Sequence, residues 1–125
     1  MNITLVGFGA MGQGIGQLIS NKEGCNIVSI VDKDPQKTGK KVDDFINVKN
    51  KNGLTIKGSM DELQDNIGDI AIITTGSFIK NIAPLILQAV NVGMHVITIA
   101  EEMLHPRVSN ATLADEIDKK AQEKK

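Results

Sequence analysis

The 125 residues suffice for one domain with a buried core, and 41% of them are apolar. With 14 basic and 15 acidic residues the net charge is −1, so no basic field exists to draw nucleic acid or an acidic membrane, and the absence of tryptophan and tyrosine removes base-stacking platforms. No apolar run reaches the roughly 20 residues of a membrane span, and the single cysteine, Cys25, has no internal partner, which fits a reduced cytoplasmic compartment.

From the amino terminus, Ile3, Thr4, Leu5 and Val6 read as a buried strand. Gly7-Phe8-Gly9-Ala10-Met11-Gly12 follows and leads into a helix over 13–21, with Met11, Ile15, Leu18 and Ile19 on one face. A strand-to-helix turn is the setting in which G-x-G-x-x-G has a mechanism. Gly7 allows the tight turn, Gly9 lets a pyrophosphate approach the backbone, and Gly12 lets the helix pack against the strand. Phosphates would meet free amides, at Ala10 and Met11 among others, and the positive end of the helix dipole. Gly14 and Gly16 serve either close approach or close packing.

Residues 26–31 form a second strand, apolar nearly throughout, as in a strand covered on both faces. It ends on Asp32, 20 residues beyond Gly12, near the separation expected of a carboxylate that holds the adenosine ribose. Asp34 and Pro35 suit the start of a helix, and Val42, Phe45 and Ile46 extend it to 36–46. Residues 47–53 are a polar, lysine-rich turn, and 54–56 a short third strand. Ser59-Met60-Asp61-Glu62 fits a capping box, so a short helix is expected from Met60. A fourth strand covers 69–74, followed by the loop Thr75-Gly76-Ser77. Ile79, Ile82, Ile86 and Val90 mark a long amphipathic helix that should start near Pro84 or kink there. Gly93 closes it, a fifth strand covers 94–100, and a last helix runs over 110–122.

This alternation predicts an α/β fold over 1–125: a doubly wound parallel sheet of Rossmann type, about five strands, helices on both faces and right-handed crossovers. In such a sheet ligands bind beyond the carboxyl ends of the strands. Three loops share that edge, 7–12, 74–77 and 101–104, with Asp32 beside the first. Thr74, Thr75, Gly76 and Ser77 offer hydroxyls and pliable backbone to a ribose or nicotinamide, or are small residues turning into the next helix. Of Glu101 and Glu102, one can hydrogen-bond a carboxamide or an ammonium substrate while the other is a solvated acid; a general-base role is open to either. His95 begins its strand, at the wrong end for a cofactor. No cluster has metal-ligand spacing, so no metal is expected. NAD is the expected cofactor, because the Asp32 carboxylate suits a 2′-hydroxyl and repels a 2′-phosphate. Lys33 and Lys37 soften that preference and keep NADP within reach. The glycine loop reads alternatively as a turn without a ligand.

Gly7-Phe8-Gly9-Ala10-Met11-Gly12-Gln13-Gly14-Ile15, Val31-Asp32-Lys33-Asp34-Pro35, Thr74-Thr75-Gly76-Ser77-Phe78 and Ile99-Ala100-Glu101-Glu102-Met103 together resemble the amino-terminal domain of the 2,4-diaminopentanoate dehydrogenase family, related to dihydrodipicolinate reductase. The resemblance spans the whole chain; the glycine motif is generic, and the Thr-Gly-Ser loop and the Glu-Glu strand end are more specific. It implies NAD(P)-linked oxidative deamination of a diamino acid at its 4-amino group, within amino-acid degradation. It places the glycine loop and Asp32 on the cofactor and Thr75 and Gly76 near the nicotinamide, and it transfers no catalytic residue. Family members continue into a second domain that carries much of the substrate site. This chain is therefore expected to be a fragment that binds the cofactor without turnover, its partner a small-molecule amino-acid substrate, with any homo-oligomer formed through the second domain. A dinucleotide-sensing regulatory module without catalysis is the alternative. A methyltransferase taking S-adenosylmethionine is a third reading, against which Gly12 and Asp32 favour the dinucleotide.

Overall fold

The central strand, β1 (Asn2–Val6), pairs in parallel with β2 (Asn26–Val31) on one side and β4 (Ile70–Ile73) on the other. β3 (Ile56–Lys57) extends the sheet beyond β2 and β5 (His95–Thr98) beyond β4, all parallel, in the order β3-β2-β1-β4-β5. This computed structural model describes residues 1–48, 53–64 and 67–125. The order reverses at β1, so the edge above β1 and β4 is the switch point where crossovers part and a crevice opens.

Each face of the sheet carries its own apolar cluster. On one face Leu5, Ile27 and Ile72 pack with Ile15 and Ile19 of α1 (Ala10–Ser20). There Gly16 is required by closeness, because a Cβ would come within 3.0 Å of Leu5 Cδ1 and Ile46 Cδ1. On the other face Val6, Ala71 and Ile73 pack with Ile82, Ile86 and Val90 of α2 (Ile79–Asn91). α3 (Pro106–Glu123) lies against α2 and brings Ile117 to the same cluster. Two polar side chains, Thr4 and Ser29, are buried among the described residues; their hydroxyls bond each other at 2.8 Å, and Thr4 also accepts the Gly68 amide. Neither hydroxyl is left unpaired, so burying them carries no desolvation penalty of the full size. On the α1 side of β5, Ile97 and Ile99 remain exposed.

The sheet and its five strands follow the sequence reading, and several local expectations do not. No helix fills 36–46: Gly39 takes φ +82°, and the backbone from Gly39 to Val42 bonds instead to Leu54 and Ile56, leaving one 3-10 turn at Val42–Asp44. Those same bonds move β3 to Ile56–Lys57, later than expected. α1 begins at Ala10, not Gln13, and this phase turns Met11 and Leu18 outward, with Gly12 and Gly16 buried in their place. α2 begins at Ile79 and carries the exposed Pro84 inside it. The apolar face on either side of it is continuous, with Ile79, Ile82, Ala83, Ile86, Ala89 and Val90 buried. The capping box at Ser59 becomes a 3-10 turn, Met60–Glu62, without a side-chain cap bond. In α3, Asn110 breaks the helical backbone and its carboxamide oxygen accepts the Leu113 amide at 3.1 Å, so the expected start at 110 survives as an internal cap. The expected turn over 47–53 lies partly outside the described residues.

Candidate functional site

The glycine loop is built by close contacts that a side chain would break. Gly7 has φ +97°, and a Cβ there would meet Thr74 Oγ1 at 2.8 Å. A Cβ on Gly12 would collide with the Gly7 carbonyl oxygen, so the first turn of α1 seats directly on the loop that precedes it. Thr74 completes the fit by donating its hydroxyl to the Gly7 carbonyl at 3.0 Å. Gly9 is the opposite case. It is exposed, a Cβ there would find nothing within 4 Å, and it caps α1 without any side-chain bond. The first amides of a helix have no internal partner. At α1 they open beside a position with no side chain, which is the arrangement a pyrophosphate needs.

Asp32 follows β2 directly and binds back to the loop. One carboxylate oxygen accepts the Phe8 amide at 2.7 Å, and the other accepts the Asp34 amide at 2.8 Å. Lys37 Nζ stands 3.4 Å from the first of these oxygens and 3.4 Å from Asp34. A carboxylate has about four lone-pair positions. Three are engaged, which leaves one acceptor position. Asp34 is held below its ordinary range, chiefly by the Gln36 amide and then by Lys37.

A cleft of about 320 Å³ runs along this edge, lined by Gly7, Gly9, Asp32, Thr74 and Thr75 from the expected set. Lys33 and Lys37 line it too, with Ser59, Met60 and Leu85. These last three were not foreseen as site residues. The Ser59 turn was visible as a capping box at the carboxyl end of the third strand, which is the edge where ligands bind. Ala10, Met11, Gly12, Gly76, Ser77 and Glu101 do not line this cleft. Gly12 is buried beneath the loop, and Ala10 and Met11 open α1 at the surface.

The two acids after β5 divide their work. They open a 3-10 turn, Glu101–Leu104. Glu101 is exposed, and the Ser77 hydroxyl, then its own amide, hold its carboxyl below the ordinary value of 4.5. Glu102 turns inward and accepts the Ile79 amide at the start of α2, at 2.7 Å. His95 lies exposed at the start of β5, away from this edge. Among the described residues no three His, Cys, Asp or Glu side chains group as a metal site would need, and no helix is long and apolar enough to cross a membrane.

A profile of the family described as dihydrodipicolinate reductase, N-terminus, matches residues 1–102. The 2,4-diaminopentanoate dehydrogenase of Acetoanaerobium sticklandii is 28% identical over 124 residues, covering 98% of this chain and 35% of that protein. Among solved structures, the amine dehydrogenase from Mycobacterium smegmatis superposes with a TM-score of 0.87 at 26% identity, over 99% of this chain and 37% of that one. Aspartate semialdehyde dehydrogenase with NADP from Candida albicans, at 19% identity and a TM-score of 0.58, shares the fold over 81% of this chain. The chain thus spans about a third of the length of the relatives it matches.

Proposed function

The chain belongs to the dihydrodipicolinate reductase N-terminus family, and on that premise we propose that it is the NAD(P)-binding domain of an oxidoreductase that oxidatively deaminates a diamino acid such as 2,4-diaminopentanoate. The observation that carries the reading is Gly9: open space at the start of α1, between a loop fixed by Thr74 and a carboxylate fixed by Phe8.

The residues fit a dinucleotide along the length of the edge. The open amides of α1 and the bare Gly9 would hold the pyrophosphate. The free acceptor position of Asp32 would take a ribose hydroxyl, with Ser59, Met60 and Leu85 walling the adenosine side. Thr75, Gly76, Ser77 and Glu101 would stand toward the nicotinamide. A nicotinamide held there would supply the hydride acceptor for oxidation at the carbon that bears the amino group. Glu101, exposed and held as an anion by Ser77, would accept a hydrogen bond from an ammonium or carboxamide. NAD is the preferred form, because the Asp32 carboxylate repels a 2′-phosphate; the adjacent Lys33 and Lys37 temper that repulsion.

The substrate assignment rests on the 28% identity to the diaminopentanoate enzyme. Calorimetric titration with NAD, NADP and S-adenosylmethionine tests the cofactor reading. NAD binding with NADP weaker supports it; binding of S-adenosylmethionine alone would replace it.

A further inference from the structure

Glu102 joins two of the three loops at the carboxyl edge. Its Oε2 accepts the amide of Ile79, the first residue of α2, at 2.7 Å. Its own amide donates to the Ser77 carbonyl at 3.2 Å, and its carbonyl accepts the Ser109 hydroxyl at 3.5 Å. A helix usually takes its first acceptor from a Ser, Thr, Asp or Asn at the cap position. Here the cap is Phe78, 59% exposed, which has no acceptor to offer. The acceptor comes instead from 23 residues downstream, out of the turn that follows β5. A charge-assisted bond and a backbone bond therefore pin the loop after β4 to the turn that carries Glu101. Ser77, inside the pinned segment, also acts on the Glu101 carboxyl.

We propose that Glu102 is a positioning residue for the nicotinamide half of the dinucleotide, fixing residues 75–77 and the Glu101 side chain in one arrangement without touching the ligand. The proposal rests on the dinucleotide reading above. The adenosine half has separate support: Phe8 holds Asp32 and Thr74 holds Gly7, and neither bond passes through Glu102. A local cap at position 78 would stabilise α2 as well as Glu102 does, but would leave the two loops held by the backbone bond to Ser77 alone, without the side-chain tie. That difference separates positioning from simple capping.

The test titrates wild type, Glu102→Ala and Glu102→Ala/Phe78→Ser with NAD and with ADP, and records melting. ADP reports the adenosine and pyrophosphate half; the ratio of NAD to ADP affinity reports the rest. In Glu102→Ala the ratio is expected to fall about tenfold, with ADP affinity kept and melting lowered. Phe78→Ser restores a local cap, so melting should recover while the ratio stays low. A ratio unchanged in Glu102→Ala, a ratio recovered with the local cap, or equal losses for both ligands overturns the positioning role. If Glu102→Ala does not fold, the double variant decides alone, and a wild-type ratio there overturns it. A wild type that binds NAD no better than ADP also overturns it. A wild type that binds neither refutes the dinucleotide reading itself, and this outcome is distinct because it shows before any substitution.

Discussion

The Asp32 carboxylate accepts the Phe8 amide at 2.7 Å, so the residue that ends β2 is bonded directly to the glycine loop. The same side chain that would select the ribose therefore also shapes the loop that would hold the phosphates. Asp32→Ser should show both effects. Preference for NAD over NADP should narrow or invert, and stability should fall by about 1–3 kcal/mol as the Phe8 and Asp34 amides lose their acceptor. Paired titrations and chemical denaturation read the two. Equal affinities for both cofactors in wild type and variant would remove Asp32 from the site.

Two glycines of α1 separate packing from propensity. Gly14 faces open space, whereas a Cβ on Gly12 would strike the Gly7 carbonyl. Gly14→Ala should stabilise by roughly 0.8–1 kcal/mol, the intrinsic gain of alanine over glycine in a helix. Gly12→Ala should destabilise by about 1–3 kcal/mol despite the same gain, through overpacking. Denaturant unfolding measures both. A stabilised Gly12→Ala would mean that the loop yields and the close seat is not required.

The Ser77 hydroxyl is the main cause that holds Glu101 below 4.5. Ser77→Ala should raise that pKa toward the ordinary value. A depressed carboxylate adds its stabilisation above the unfolded pKa and loses it as pH falls through the folded one, so the contact acts at neutral pH and vanishes in acid. An NMR titration of the Glu101 carboxyl in both proteins reads the shift. Identical titrations would show that Ser77 does not act on it.

Strands were legible because β1, β2 and β4 are largely buried and read as apolar runs interrupted only by Thr4 and Ser29 after their first residues. The placement of the glycine loop and Asp32 at one edge was legible because strand-turn-helix and strand-end positions follow from the apolar runs. The segment over 36–46 misled because Val42, Phe45 and Ile46 have helical spacing, while the deciding interaction, backbone pairing with Leu54 and Ile56, is not written in that spacing. Met11 and Leu18 misled because the neighbouring stripe of Gly12 and Gly16 permits closer approach and took the buried positions. The division between Glu101 and Glu102 was invisible for the same kind of reason. Adjacent acids look alike in sequence, and only the α2 amide, brought near by the sheet, distinguishes them.

Binding and turnover should separate in these 125 residues, which match 35% of the length of the diaminopentanoate enzyme. Hydride transfer needs a substrate carbon fixed against the ring and shielded from water. Glu101 is exposed to solvent. With NAD and 2,4-diaminopentanoate present, absorbance of reduced cofactor should not rise. Turnover would contradict this and would make Glu101 a catalytic candidate in its own right.

On the reading proposed above, Gly9 is bare so that a pyrophosphate can reach the first amides of α1. Calorimetric titration of NAD into wild type and Gly9→Val tests it most directly, with melting recorded for each. A Cβ at Gly9 meets nothing in the protein, so the variant should fold as the wild type does. Its affinity should fall by tenfold or more, roughly 1.4 kcal/mol. A folded Gly9→Val that binds NAD as tightly as wild type would show that the glycine is not needed for the phosphates, and a wild type that binds no dinucleotide would show that the loop is only a turn.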